Sequence, residues 1–372
     1  MTNMNDKKIA IFQNFLDTIG GAEVVGLTMA RELDADIYTT NINHKKINQM
    51  GFSDLRIHSI GWVPKNAPFR QQILLWRFGR LNLKNKYDFF IINGDWAVSG
   101  AIHNKPNLWY VNATMREVWD LYPYVRKNLV GPLSRPLFDI FVLINRYLNK
   151  KHVSHVDNIA SNSTFTQERV KKYLHRESEL IHPPIQTKKF HFDRAEDYWL
   201  SVNRLIKYKR VDIQLKAFAK MPDKKLLVIG PYEKSKSSQD YVDSLNKIKT
   251  DNVTFIEQAD NFEELVNYYS KCKGFITTCL KEDFGMTAIE AMASGKPVIA
   301  PNEGGYKETV IDGVTGILID ALDEDKLAEA VKKIDNELDI NPEKYTNVCI
   351  ENVKRFDIEN FINQIKSMIK NT

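Results

Sequence analysis

The chain has 372 residues, 43% of them apolar and 27% charged, which suits a soluble globular protein of about two domains. Its longest unbroken apolar run, Ile140 to Ile144, is far too short to span a membrane. The formal charge of +5 is unevenly spread: residues 1–186 hold 24 Lys or Arg against 16 Asp or Glu, a net of +8, and the remainder hold 28 against 31, a net of −3. A basic half suggests an anionic partner: nucleic acid, a membrane surface or a phosphorylated substrate. Cys272, Cys279 and Cys349 show neither CxxC spacing nor an even count, and read as reduced, buried thiols. The start, MTNMNDKKIAIF, lacks a signal-peptide core, so a cytoplasmic location is expected.

Apolar strands alternate with helical stretches from end to end, the pattern of parallel α/β architecture. In the first half the strands are expected at 8–14, 35–40, 55–60, 87–93, 107–112 and 158–163. Gly20 and Gly21 follow the first strand and open a helix, where bare amides would attract an anion; a double glycine also marks an ordinary tight turn. No GxGxxG follows that strand, which speaks against a dinucleotide, and no cofactor is expected. Asp34-Ala35-Asp36 has the form of a metal-binding Asp-x-Asp but precedes a strand; a solvated turn is expected there, and no metal. Between Asp54 and Asp88 no acidic residue occurs, while Arg56, Lys65, Arg70, Arg77, Arg80, Lys84 and Lys86 do. Trp62, Phe69, Trp76 and Phe78 interleave with these cations, and Ile73, Trp76, Phe78 and Leu81 are expected to line part of one helix face. Such a segment fits an anionic headgroup layer, and equally the wall of an acceptor site.

In the second half the strands are expected at 198–203, 225–230, 252–257, 274–279, 296–301 and 316–320, after a linker at 181–190 marked by Pro183-Pro184. Arg204 and Lys209 fall in the turn between a strand and a helix, where two cations could neutralise a diphosphate. Glu282 and Glu290 flank a Phe284-Gly285 turn and a helix start, in KEDFGMTAIEAMASGKPVIAPNEGG. If helical, the eight steps from one to the other span roughly 12 Å. Carboxylates at the two ends accept hydrogen bonds from diols, and the helix-start amides around Gly285, Met286 and Thr287 attract phosphate. Alone, either glutamate would read as a solvated charge. The last stretch spaces Phe361, Ile362, Ile365, Met368 and Ile369 as an amphipathic helix.

These residues resemble the retaining glycosyltransferases of family four, whose GT-B fold sets two Rossmann-like domains facing one another. The likeness rests on Arg204 and Lys209, on Glu282, Phe284, Gly285 and Glu290, and on GGAE at 20–23, SNSTFTQERV at 161–170, IHPPI at 181–185 and GGYKETV at 304–310. It implies an acceptor-side domain at 1–185, a nucleotide-sugar domain at 186–355, and a helix at 356–372 returning to the first domain. It also implies that Glu282 binds donor-sugar hydroxyls, that Glu290 binds the ribose, and that Arg204, Lys209 and Glu282 form the catalytic set. Gly20, Gly21, Phe284, Gly285, Met286 and Thr287 would complete the donor site. Mannosyltransferase-like members read Cys-His-Thr-Pro-Met-Arg where this chain has Val111 to Arg116, so Asn112 replaces the family histidine. Asn112 and Arg116 would still contact substrate, although an amide cannot shuttle a proton.

The expected activity is metal-independent transfer of a hexose with retention, first from GDP-mannose. The acceptor would be a glycan or lipid-linked saccharide of polysaccharide biosynthesis, reached by a peripheral protein at the inner face of the cell membrane. A GT-B sugar-nucleotide epimerase and a non-catalytic nucleotide-sugar or membrane-binding protein are the alternatives. The donor-site residues set nucleic acid last among the anionic partners.

Overall fold

The computed structural model describes residues 7–18, 20–65, 69–231, 236–259 and 261–372; residues 1–6 of the start and 66–68 of the basic stretch lie outside them. The chain divides into two compact units, residues 1–184 with 359–372, and residues 185–358. In the first, strands β1 (Ile9–Phe12), β2 (Asp36–Thr39), β3 (Ile57–Ser59), β4 (Phe89–Ile92), β5 (Asn107–Val111), β6 (Asn158–Ser161) and β7 (Glu179–Leu180) form one sheet. Their order is β3-β2-β1-β4-β5-β6-β7, with every pair parallel. In the second, β8 (Trp199–Val202), β9 (Leu226–Ile229), β10 (Val253–Ile256), β11 (Phe275–Ile276), β12 (Val298–Pro301) and β13 (Gly316–Ile319) pair in the order β10-β9-β8-β11-β12-β13, again all parallel. Each unit is thus a Rossmann-like α/β domain. The central strands are apolar on both faces because helices cover both sides of a parallel sheet: all residues of β1, β4, β5 and β12 are buried.

In each sheet the strand order reverses once, between β1 and β4 and between β8 and β11. Ligands of such sheets sit beyond the strand carboxyl ends at these reversals. The C-terminal helix, Ile358–Lys370, buries Phe361, Ile362, Ile365, Met368 and Ile369. The Phe361 ring meets Tyr110 of β5 edge-on at 5.4 Å, and the Lys7 ammonium donates to the Ile369 carbonyl at 3.3 Å.

Three local expectations are corrected. The strand expected over 274–279 is only Phe275–Ile276, because the Thr278 carbonyl accepts from the Arg210 guanidinium instead of extending the ladder. In the helix Phe69–Arg80, Trp76 and Phe78 do not share a face: two positions on a helix lie about 200° apart, so Phe78 is buried and Trp76 exposed. Of the Asp34-x-Asp36 pair, Asp34 is the solvated turn residue expected, but Asp36 opens β2 and is mostly shielded, with Arg56 binding both carboxylates and Tyr87 donating to Asp36 at 2.6 Å. Burial would raise the Asp36 carboxyl, but the Tyr87 and Arg56 hydrogen bonds outweigh it and hold it below the usual range.

The cations of the basic stretch are therefore partly structural. Arg56 serves Asp34 and Asp36, Arg70 pairs with Asp17 over the Phe15 ring, and Arg77 donates to the carbonyls of Ile60 and Trp62.

Candidate functional site

In the second unit the reversal point gathers two loops. After β8 the chain passes Arg204 and makes a 3-10 turn over Lys207–Lys209, and Arg210 enters the left-handed region at φ 52° before the helix Val211–Ala219. After β11 the chain passes Glu282 and Phe284 and starts the helix Met286–Ala293 on Gly285, at φ 93°. L side chains avoid that conformation, and a Cβ on Gly285 would lie 2.6 Å from the Tyr306 ring. Tyr306 is thereby pressed against the turn that carries Glu282. Its hydroxyl lies 2.6 Å from the Thr277 hydroxyl and 3.5 Å from Glu282 Oε2, while the Gly305 amide donates to the Glu282 carbonyl at 2.8 Å.

The two loops meet at an ion pair. Lys209 Nζ stands 2.6 Å from Glu282 Oε2, with both side chains mostly shielded from water. Burial pulls the Lys209 ammonium down, but Cys279 and the partner carboxylate of Glu282 outweigh this and hold it above the ordinary lysine range. Next to this pair, Arg210 donates to the Thr278 carbonyl and to Glu303, each at 2.6 Å, which ties the β8, β11 and β12 loops together. Arg204 is exposed in the same loop and donates to the Tyr208 hydroxyl at 3.4 Å.

Glu290 is half-buried on the same helix, and its Oε2 accepts from the Tyr269 hydroxyl at 2.8 Å. Burial pushes its carboxyl up to about 7, against the smaller opposing effect of that bond. Phe284 is buried edge-on against Phe356 at 5.4 Å, and Met286 and Thr287 are half-buried in the first helical turn. Glu282 and Glu290 are thus separated by a turn and by the first part of a helix, not by a continuous helix.

In the first unit the same sheet edge carries a ladder of amides. Asn112, beyond β5, donates from Nδ2 to Asn93 Oδ1 at 2.8 Å. Asn93, beyond β4, donates to Gln13 Oε1 at 2.6 Å and to the Ala22 carbonyl at 2.8 Å. Gln13, beyond β1, donates to Glu23 at 3.5 Å, and Glu23 accepts from the Gly20 amide at 2.9 Å. The Gly20 amide is therefore not bare, contrary to expectation: the third residue of its own helix caps it. Gly26 makes room for the ladder, since a Cβ there would lie 2.6 Å from both Asn93 Nδ2 and Gln13 Oε1.

The orientation of Asn112 follows from this chain of bonds. A backbone carbonyl accepts only, so the Ala22 contact fixes the Asn93 amino group, and Asn93 must turn its carbonyl toward Asn112. Asn112 then donates one N–H inward and keeps its side-chain carbonyl and its second N–H to offer elsewhere. Asn112→Asp is expected to set two acceptors against each other there. The new carboxyl would favour its neutral form, so the variant should lose about 1–3 kcal/mol of stability near pH 7.5 and much less near pH 4.5. Urea unfolding at the two pH values checks this; an equal loss at both would show that nothing fixes the amide. Arg116, four residues on, is committed to Asp120 at 3.0 Å, and Asp120 also faces Arg169 at 3.6 Å.

Residues 184–356 match the family described as glycosyl transferases group 1. The chain is 32% identical over 160 residues to a D-inositol 3-phosphate glycosyltransferase of Mycolicibacterium smegmatis, covering 42% of this chain and 36% of that one. It is 29% identical over 240 residues to an alpha-1,3/1,6-mannosyltransferase of Saccharomyces cerevisiae, covering 51% and 46%. The chain thus spans less than half the length of these curated relatives. Among solved structures, Anabaena HepE in complex with UDP and glucose superposes with a TM-score of 0.78 at 18% identity, covering 98% of this chain and 100% of that one. At that identity the likeness shows the fold, the GT-B fold of glycosyltransferases.

Within this glycosyltransferase fold, the structure brings together Lys209 and Glu282, sets Glu290 on the helix that follows, and links Asn112 to the Gly20 loop. Arg204 lies in the same loop as Lys209, against Tyr208, and Arg116 pairs with Asp120. Sequence reasoning missed Tyr269, Tyr306 and Arg210 in the second unit, and Gln13, Asn93 and Gly26 in the first. A signal for the last group was present: the expected strands ending at 14, 93 and 112 each close on an amide after an apolar run. An uncharged polar residue at a strand end, repeated in neighbouring strands, marks a polar edge.

Proposed function

We propose that this chain is a retaining glycosyltransferase that moves a hexose from a nucleotide sugar to a glycan or lipid-linked saccharide. The observation that carries the reading is the Lys209–Glu282 pair at the sheet reversal, with Glu290 one helix further on. In this reading Glu290 accepts from the ribose diol and Glu282 from hydroxyls of the donor sugar. Lys209, Arg204 and the amides at Met286 and Thr287 hold the diphosphate between them. As the glycosidic bond to the phosphate breaks, negative charge grows on the leaving oxygen, and Lys209 and Arg204 stabilise it. The leaving phosphate oxygen takes the acceptor proton from the same face, so no protein carboxylate acts as nucleophile and configuration is retained.

The similarity to a mannosyltransferase supports GDP-mannose as the first donor to try. Thermal-shift screening against GDP-, UDP- and dTDP-sugars tests the reading, since specific binding stabilises the fold. Transfer to an acceptor extract then completes it. Consumption of the nucleotide sugar with no acceptor present would point instead to an epimerase, and binding without turnover to a non-catalytic protein.

Because two cations flank the proposed diphosphate position, transfer should persist in excess EDTA at the rate seen without it. Radiolabelled transfer with and without chelator checks this, and loss with EDTA followed by rescue with Mn²⁺ would overturn it.

A further inference from the structure

The run Ile140–Ile144, the longest apolar run in the chain, has no part in the sites above. It lies in the helix Arg135–Val153, whose inner face supplies Phe138, Phe141, Val142 and Val153 to the core of the first unit. The outer face of such a helix is ordinarily polar. Here Leu133, just before the helix, and Leu137, Ile140, Leu143, Ile144 and Tyr147 within it are between 52 and 97% exposed. Spacings of three and four residues place them in one stripe.

A second helix extends this surface. Gln72 of Phe69–Arg80 donates to Asn145 of the long helix at 2.9 Å, so the two lie side by side. The shorter one exposes Phe69 and Trp76, with the Arg80 guanidinium 4.9 Å from the Trp76 ring. The charge around the stripe is one-sided. Residues 121–156 contain six Lys or Arg and a single acidic residue, Asp139, a net of +5. That carboxylate is bound by Arg126 and Tyr122, while Lys127, Lys150 and Lys151 are exposed.

We propose that this face, built on Arg135–Val153 and flanked by Trp76 and Arg80, docks on an anionic lipid surface. The apolar stripe would enter the headgroup boundary while the surrounding cations meet lipid phosphates. A second copy of the chain is the poorer occupant, because an isologous pairing would set one basic patch against its twin. No described helix is long and apolar enough to cross a membrane, so the helix lies on the surface instead of spanning it. This surface differs from the acid-free stretch 55–87 expected from sequence, from which it takes in Phe69, Trp76 and Arg80. The inference does not depend on the transferase reading.

The test is flotation of the whole protein with vesicles of phosphatidylcholine and phosphatidylglycerol, at low and high salt, beside vesicles of phosphatidylcholine alone. Neither donor nor acceptor is present, so the result is separate from any question of turnover. The protein should float with the anionic vesicles at low salt and much less at high salt, since salt screens the cations. Leu137→Ser with Ile144→Ser, and separately Lys127→Glu with Lys151→Glu, should each cut vesicle partitioning by about tenfold or more. All four positions are exposed, and circular dichroism melts establish that the variants fold. A parent protein that stays off anionic vesicles at low salt would overturn the proposal, as would a serine variant that floats like the parent. A parent dimer in light scattering that becomes monomeric in the serine variant, with flotation unchanged, would assign the face to self-association and overturn it too.

Discussion

Lys209→Met is expected to lower sugar transfer by about a hundredfold or more, the loss typical of removing a group that stabilises developing charge. The same change leaves the shielded Glu282 carboxylate, now 2.6 Å from its cation, without it. A shielded carboxylate that loses such a hydrogen-bonded cation costs about 1–3 kcal/mol, so stability should fall as well. The second variant separates the two effects. Adding Glu282→Gln removes that charge, and the double variant should regain most of the stability while transfer stays lost. Glu282→Gln alone should transfer poorly yet bind free nucleoside diphosphate at least as well as the parent, because Lys209 is then released from its carboxylate. Urea unfolding, calorimetry with free nucleotide and a transfer assay read the three quantities independently. Recovery of transfer in the double variant would mean that the pair only supports the fold.

The second large effect is expected at Glu290 and depends on pH. Burial raises its carboxyl to about 7 in the folded protein, while in the unfolded chain it has an ordinary value near 4.5. Between these values the folded state binds more protons than the unfolded state, so stability falls as pH rises through this window. Below about 4.5 the group is neutral in both states and the penalty vanishes. Above about 7 the penalty is complete, of the order of 3 kcal/mol at most. Glu290→Gln should remove it, so the variant gains on the parent in stability between pH 5 and pH 8. Binding should move the opposite way. A ribose diol donates more strongly to a carboxylate than to a neutral acid, so parent affinity for the nucleotide should rise through pH 7. Glu290→Gln should bind about tenfold more weakly at pH 8 and lack that rise. Titration of the nucleotide's own phosphate affects both proteins alike and cancels in the comparison. Parallel pH profiles of affinity in calorimetry would rule out Glu290 as the ribose ligand.

Much of the architecture was legible from residue order. Strand and helix periods alternate without interruption, and a parallel sheet buried on both faces writes itself as solid apolar runs such as FFII and VIAP. The segment from Glu282 to Glu290 was legible for a similar reason. A left-handed cap at Gly285, a helix start and two carboxylates are local features, and local geometry depends on neighbours along the chain. The short β11 was not, because its missing half depends on where the distant Arg210 donates.

What the tertiary structure alone decided is which groups meet. Lys209 and Glu282 are 73 residues apart, and Asn93 is 80 residues from Gln13. Each is an unremarkable loop residue until neighbouring strand ends bring it within hydrogen-bonding distance of its partner. Arg70 and Arg77 read as members of a basic surface, and folding turned them inward to Asp17 and to backbone carbonyls. The helix Arg135–Val153 shows the reverse. Its spacing reveals apolar residues all around, which in a sequence signifies only that they avoid water. Packing covers one side with the core and leaves the other open, and periodicity carries no information about what lies across from a face.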